Sequence, residues 1–331
     1  MTLCMAWIRE NRQEKELVMA TDSRLTGGER WDNGVKLFEL PRMDCLLCFA
    51  GDTFRAYPLI LNSISSIKFD SNLSSLHTDI LDVLNYLVDL FSTLVGEIKD
   101  PPENDGDFSV EAQFLFGGWS WREQKFCIWR LYYEPELKAF IHDSVNTNDD
   151  VVCIFIGNDI EEAKGGLETR LQDAGNIPAG ALDMEPLQVL AQMSRDAENY
   201  QSIGGAIQIA KVYQSGSSEF FGVMWPSVNG GPTFLGRQLS EHDMPPVRFF
   251  DPDLATILED ALPENLNEID KVLYGDEYEF MMKCYPEGRL KAEMSDRERK
   301  KLKKLIQSVA YRKYCSDQLE VREVADEQAN Q

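Results

Sequence analysis

The residues with the clearest chemical potential stand at the start of the chain. Thr2 follows the initiator methionine. A threonine whose own α-amino group is free carries both a nucleophile and a base, because that amine titrates at about 7.7–8.0 and can take a hydroxyl proton near neutral pH. Removal of Met1 is therefore a requirement of this chemistry. A cation nearby would help, holding the hydroxyl and keeping the amine neutral.

Other chemistries are poorly supported. The seven cysteines (4, 45, 48, 127, 153, 284 and 315) mostly sit in apolar stretches such as DCLLCFAG, which reads as reduced core thiols. Cys45 and Cys48 form a CxxC, but no second pair follows at zinc-site spacing, and His77, His142 and His242 are not spaced as ligands. No metal and no cofactor is expected. No GxGxxG or GxxxxGK is present, and Gly204-Gly205 reads as a strand-entry turn. Trp119, Trp121, Trp129, Tyr132 and Tyr133 read as sheet packing rather than a nucleobase platform.

Composition narrows the class further. The 331 residues are 43% hydrophobic and 27% charged, ordinary for a globular protein. No run of 18 apolar residues exists, so a transmembrane helix is not expected. The opening MTLCMAWIRENRQEK lacks the basic start and long apolar stretch of a signal peptide, so a cytoplasmic protein is expected. A net charge of −23 argues against nucleic acid as a partner. The charge is uneven: residues 289–313 carry +7, leaving −30 on the rest. A basic helix of this kind reads as a solvated face or as a dock for an acidic neighbour, including a second copy.

The elements that must position Thr2 follow from periodicity. Residues 2–8 and 16–21 read as strands joined by the polar RENRQEK, and 36–40 and 45–50 as two more. Asp52 is a good N-cap for a helix through residue 67, and apolar residues every three or four positions predict a helix over 76–99, ended by Pro101-Pro102. Strands are expected at 112–119, 125–133, 137–142 and 151–156, helices at 159–172 and 185–200, and strands at 206–213 and 219–225. Strands, two helices, strands, two helices, strands: this order predicts an α+β fold with two packed sheets and helices outside, a four-layer αββα sandwich. The character changes near residue 228. We expect one domain at 1–228 and, at 229–331, a C-terminal extension that is turn-rich and then mostly helical. Its acidic helices are expected at 253–262 and 266–285, and its last, basic helix opens on a Ser295–Glu298 capping box. The final EVREVADEQANQ reads as a frayed tail.

Three stretches share a pattern with a known family. Ala20-Thr21-Asp22-Ser23-Arg24-Leu25-Thr26-Gly27-Gly28, then Lys36-Leu37-Phe38, then Phe49-Ala50-Gly51, resembles the start of proteasome β-subunits and HslV-type peptidases, which are N-terminal-nucleophile (Ntn) hydrolases. The resemblance covers roughly residues 2–225. It implies an Ntn-hydrolase sandwich with Thr2 as nucleophile, Asp22 as the carboxylate paired with Lys36, Lys36 as the catalytic cation and Gly51 N–H as oxyanion donor. The successive intervals between Thr2, Asp22, Lys36 and Gly51 are 20, 14 and 15 residues. The physical reading agrees, since a buried Asp–Lys pair beside Thr2 favours the deprotonated hydroxyl and amine. Later motifs depart from the pattern. Where the family carries a Ser opening a helix, this chain has Asn158 or Asp159, and four extra residues separate Arg195-Asp196 from Gly204-Gly205. Asp196 and Ser202 are the expected helpers of the Thr amine. Two functions follow: a threonine-type peptidase or amidase acting on peptide or protein substrates, or a catalytically silent subunit serving assembly or regulation. The resemblance also implies a homo-oligomer, in a ring or stack, and a separate unfoldase or regulatory partner. Neither nucleic acid nor membrane is expected as a partner.

Overall fold

The structure is a computed structural model that describes residues 2–11, 14–99, 112–146, 152–173, 182–240, 243–258, 262, 265–266, 271–295, 298–299, 301–309 and 312–313. Six strands come first: β1 (Leu3–Asn11), β2 (Glu14–Thr21), β3 (Leu25–Thr26), β4 (Arg30–Trp31), β5 (Leu37–Glu39) and β6 (Cys45–Gly51). Helices α1 (Thr53–Phe69) and α2 (Ile80–Gly96) follow, then β7 (Ala112–Ser120), β8 (Lys125–Glu134), β9 (Ala139–Ser144) and β10 (Cys153–Gly157). Next come α3 (Ile160–Asp173), α4 (Glu185–Arg195), β11 (Gln208–Tyr213), β12 (Ser218–Trp225), β13 (Gly231–Phe234) and β14 (Arg237–Gln238). Strands β15 (Phe249–Asp251) and β16 (Thr256–Ile257) precede two short helices, α5 (Lys271–Tyr274) and α6 (Tyr278–Cys284). Residues 301–309 are helical. The fold is thus mixed α/β. Among the described residues, no helix is long and apolar enough to cross a membrane.

The strands form a nine-stranded sheet, whose main path is β10-β1-β2-β11-β12-β13-β14, a five-stranded sheet, β5-β6-β7-β8-β9, and a two-stranded sheet, β3-β4. β6 shows how the sequence specifies this packing. Cys45, Leu47 and Phe49 join the core formed with α1 and α2, whereas Leu46, Cys48 and Ala50 join a second core with Cys4, Ala6, Leu17 and Met19 of the other sheet. Successive side chains of a strand point to opposite faces, so CLLCFAG is apolar throughout because both of its faces are covered. Phe91 of α2 seals the first core, with its ring 4.8 Å from Phe114 and 5.3 Å from Phe140. Helix α4 packs against β1 and β2 of the larger sheet. Burial pushes the Cys45 and Cys48 thiols well above their ordinary range, which makes them packing groups rather than thiolates.

Contacts divide the chain into two compact units, residues 1–238 with 250–256, and residues 239–249 with 257–331. The second unit has its own core of Tyr274, Met281, Cys284, Tyr285, Leu302 and Val309. Its Ser295–Glu298 cap forms as expected, with Ser295 N–H donating to Glu298 Oε2 at 2.9 Å and Glu298 N–H to Ser295 Oγ at 3.3 Å. Part of the basic stretch serves this unit itself: Lys301 pairs with Glu277 at 2.7 Å, and Lys303 donates to the Val247 carbonyl at 3.0 Å.

Several boundaries differ from expectation for identifiable reasons. The polar hairpin segment is mostly strand, because Arg9 and Glu16 face each other and pair at 2.5 Å, as do Glu10 and Lys15 at 3.1 Å. The second helix starts at residue 80 rather than 76. Its N-cap Asp79 is buried and accepts from Leu81 N, Ser120 Oγ and Arg122 N, so residues forty positions away choose the start. The fourth helix stops at Arg195 rather than 200. The helix expected over 253–262 is replaced within the described residues by a turn and β16, with Asp251 accepting from Asp253 N and Leu254 N. Pro101-Pro102, the breaker run around 174–181 and the tail lie outside the described residues.

Candidate active site

Thr2 sits at the mouth of β1, and its position is fixed from two sides. Leu3 pairs with Gly157 of β10, and Cys4 pairs with Thr21 of β2, so the ends of three strands converge on it. Asn158 N–H donates to the Thr2 carbonyl at 2.8 Å, and Thr2 N–H donates to Asn158 Oδ1 at 3.3 Å. Thr2 is only 1% exposed.

Lys36 and Asp22 meet Thr2 there. Lys36 precedes β5, Asp22 follows β2, and both are 0% exposed. Lys36 Nζ donates to Thr2 Oγ1 and to the two Asp22 carboxylate oxygens at 3.0 and 3.1 Å. The Asp22 carboxylate also accepts from Leu3 N at 3.1 Å, Arg24 N at 2.9 Å and Gly204 N at 3.1 Å. A buried ion pair is tolerable only when its remaining lone pairs and protons are satisfied, and here both partners are fully engaged. The result is an ammonium held on a hydroxyl by a carboxylate that cannot swing away.

The surrounding loops are pinned by buried polar side chains that periodicity does not single out. Gln208, buried at the start of β11, accepts from Lys36 N at 3.0 Å and Leu37 N at 3.2 Å and donates to the Gly34 carbonyl at 2.6 Å. It therefore fixes the backbone that presents Lys36; the only sequence signal is a Gln within the apolar run AIQIA. Arg24 reaches Asp32 at 2.7 and 3.1 Å and the carbonyls of Gln201 and Ile203 at 3.2 and 3.0 Å. The hydrogen bond from Arg24 holds the Asp32 carboxyl below the usual carboxylate range. Gly204 lies against this guanidinium so closely that a Cβ would fall 2.3 Å from its central carbon.

The other expected residues are distributed around this centre. Gly51 ends β6 with φ +108°, and Asp52 beyond it caps α1 by accepting from Phe54 N at 2.9 Å. Gly157 has the same φ of +108°, and a Cβ there would lie 1.9 Å from the Thr2 carbonyl oxygen and 3.1 Å from Ala50 Cβ. The Ala50-Gly51 end is thereby brought beside Thr2. Ser202 Oγ donates to Asp159 Oδ2 at 3.1 Å, so it reaches the site through the neighbour of Asn158. Asp196 closes α4 and accepts from Asn199 N at 3.2 Å and Asn199 Nδ2 at 2.8 Å, bonds that lie within its own turn. Thr2, Asp22 and Lys36 form one hydrogen-bonded set, with Asn158 as a further member.

No protein family and no curated protein matches the chain. Among solved structures, it is similar to Anbu from Hyphomicrobium sp. strain MC1 (a Gly-1 mutant), at 17% identity over 66% of this chain and 87% of that one, with a TM-score of 0.43. The Anbu complex from Pseudomonas aeruginosa, described as a helical assembly, gives 17% identity over 63% and 80%, with a TM-score of 0.45. Anbu, the ancestral beta-subunit, from Yersinia bercovieri gives 16% identity over 66% and 87%, with a TM-score of 0.44. Likeness this low transfers no activity. It does correct the expected affiliation: these neighbours carry the Anbu name, so the resemblance to proteasome β-subunits and HslV-type peptidases does not stand as the chain's family.

Proposed function

We propose that this chain hydrolyses amide bonds, in peptides or proteins, with Thr2 as an N-terminal nucleophile once the preceding residue is removed. The observation that carries the reading is the buried contact of Lys36 Nζ with both Thr2 Oγ1 and the Asp22 carboxylate. In the proposed reaction the freed α-amine takes the Oγ proton while the Lys36 ammonium offsets the charge developing on oxygen. Oγ adds to the substrate carbonyl carbon, and the oxyanion receives the Gly51 N–H. The intermediate collapses, the α-ammonium protonates the departing amine, and an ester to Thr2 remains. Water, deprotonated by the α-amine, then cleaves the ester and restores Thr2. Asn158 Oδ1 orients the amine, Ser202 supports it through Asp159, and Asp196 holds the turn that carries Ser202. Side chains and water suffice for every step, so no cofactor is invoked.

The reading includes a four-layer αββα sandwich as the catalytic body, residues 1–228, in a reducing, cytoplasmic setting consistent with the free thiols of the six described cysteines. The extension, 229–331, adds β13 and β14 to the larger sheet before forming its own unit. We assign self-association to this acidic chain with its basic terminal stretch; light scattering should show an oligomer that dissociates as salt is raised. A mass that stays monomeric at all salt concentrations would remove that assignment.

Intact-mass analysis tests the central claim. Protein that hydrolyses peptides should begin at Thr2. Retention of Met1 in an active preparation overturns the mechanism. A second reading, a silent subunit, is favoured by one observation, the engagement of Asp196 with Asn199 in its own turn rather than with Thr2. It would be supported by protein that begins at Thr2 and yet neither hydrolyses a peptide panel nor reacts with acylating probes.

A further inference from the structure

We propose that the first unit carries a second binding site, independent of Thr2, for an uncharged planar heteroaromatic molecule of one or two rings. It lies at the opposite ends of the strands that build the candidate active site. β6 runs from Cys45 to Gly51 and β11 from Gln208 to Tyr213, so Gly51 and Gln208 mark the Thr2 end. Beyond the other ends, Asp44, Leu76, His77, Trp119, Trp121 and Gln214 line a cavity of about 450 Å³, completed by the β11–β12 turn at Ser215 and Gly216. Small-ligand pockets occupy about 300–1,000 Å³ and combine apolar walls with a few convergent polar groups.

The walls suit a flat ring. Trp119 stands near the end of β7 and Trp121 in the turn that follows it, and both line the cavity. Trp119 is braced edge-on against Phe126 at 5.0 Å, whereas Trp121 is 45% exposed, a large apolar area left open. Polar groups converge beside them. Neither indole N–H, nor the His77 imidazole, nor the Gln214 amide has a hydrogen-bond partner among the described residues. The Asp44 carboxylate is buried and held by two Arg42 bonds of 2.7 Å, which leaves further lone pairs to accept from a ligand.

Charge selects a neutral ligand. Arg42 neutralises Asp44, and the Trp121 ring already has the Arg122 guanidinium 5.7 Å from its centre, itself tied to Asp82 at 2.7 Å. A cation would meet that guanidinium, and an anion would approach a chain of net charge −23. Indole N–H donors call for a ring nitrogen or carbonyl on the ligand, while Asp44 calls for a ring N–H. Purine- and pteridine-like bases present both.

The test is calorimetric titration of the full chain with hypoxanthine, with caffeine, whose ring N–H groups are methylated, and with phenol as comparisons. Saturable one-site binding of hypoxanthine is expected, weakened about tenfold or more by Trp121→Ala and also weakened by Gln214→Ala. Both residues are exposed, so melting curves should not move, and acylation of Thr2 should be the same in all three proteins. Absence of saturable binding by the wild-type chain at millimolar hypoxanthine, or equal binding by wild type and Trp121→Ala, would overturn the site. Caffeine or phenol binding as tightly as hypoxanthine would overturn the ligand class.

Discussion

Lys36→Ala is expected to abolish acylation of Thr2 by electrophilic probes, and any peptide hydrolysis, by a factor of roughly 10²–10³ or more, the effect of losing one preorganised electrostatic group. The probe avoids dependence on an unidentified substrate, and intact mass locates the label. Stability should respond differently at the two ends of the ion pair. Without Lys36, the Asp22 carboxylate keeps three backbone donors, Leu3, Arg24 and Gly204, so Lys36→Ala should lower the melting temperature only modestly. Asp22→Ala strands a buried ammonium with only the Thr2 hydroxyl as its described partner, and breaking a buried pair in this way costs about 3–5 kcal/mol. Full labelling of Thr2 in folded Lys36→Ala would refute the assignment of the site.

Gly157→Ala is expected to be the most damaging single-methyl change at the site. Its φ of +108° is one that residues with a Cβ rarely adopt, and the added carbon would lie 1.9 Å from the Thr2 carbonyl oxygen. Neither β10 nor Thr2 can retreat without breaking the Asn158 N–H bond to that oxygen and the Leu3–Gly157 register. We expect a loss of roughly 3 kcal/mol or more, read as a fall in melting temperature, together with loss of Thr2 labelling. Gly165→Ala on α3 is the control. An added Cβ there meets nothing within 4 Å, and alanine favours a helix by about 0.8–1.0 kcal/mol over glycine. Equal stability of the Gly157→Ala and Gly165→Ala proteins would show that the close approach at Thr2 does not constrain the fold.

The parts of the site that lie near one another in sequence were legible there. Asp22, Lys36 and Gly51 stand in short stretches whose pattern carried the family resemblance, and each lies beside a strand that its apolar neighbours mark. The Ser295–Glu298 cap was legible for the same reason, since both of its hydrogen bonds join residues three apart. Expectation failed where a long-range partner outweighed local preference. Asp79, and not a residue near 76, starts α2 because Ser120 and Arg122 complete its hydrogen bonds. Residues 9–11 and 14–16 form strand because charges of opposite sign face each other across the pair.

Composition and element order by themselves determined the mixed α/β class and the absence of nucleotide-loop motifs, while the residues of the candidate centre were named by the pattern of three short stretches. Each of these depends on the identity of a residue and of its near neighbours. Tertiary structure alone decided that Asn158, 156 residues from Thr2, holds it at both backbone N–H and carbonyl, and that Gln208 fixes the backbone of Lys36. It also assigned Asp196 to its own turn and gathered the tryptophan cavity at the far ends of the sheets. These outcomes depend on which strands pair and in what register. A one-residue slip would turn every side chain of a strand to its other face, and the pairing that prevents it is set by the two shared cores rather than by any short stretch of sequence.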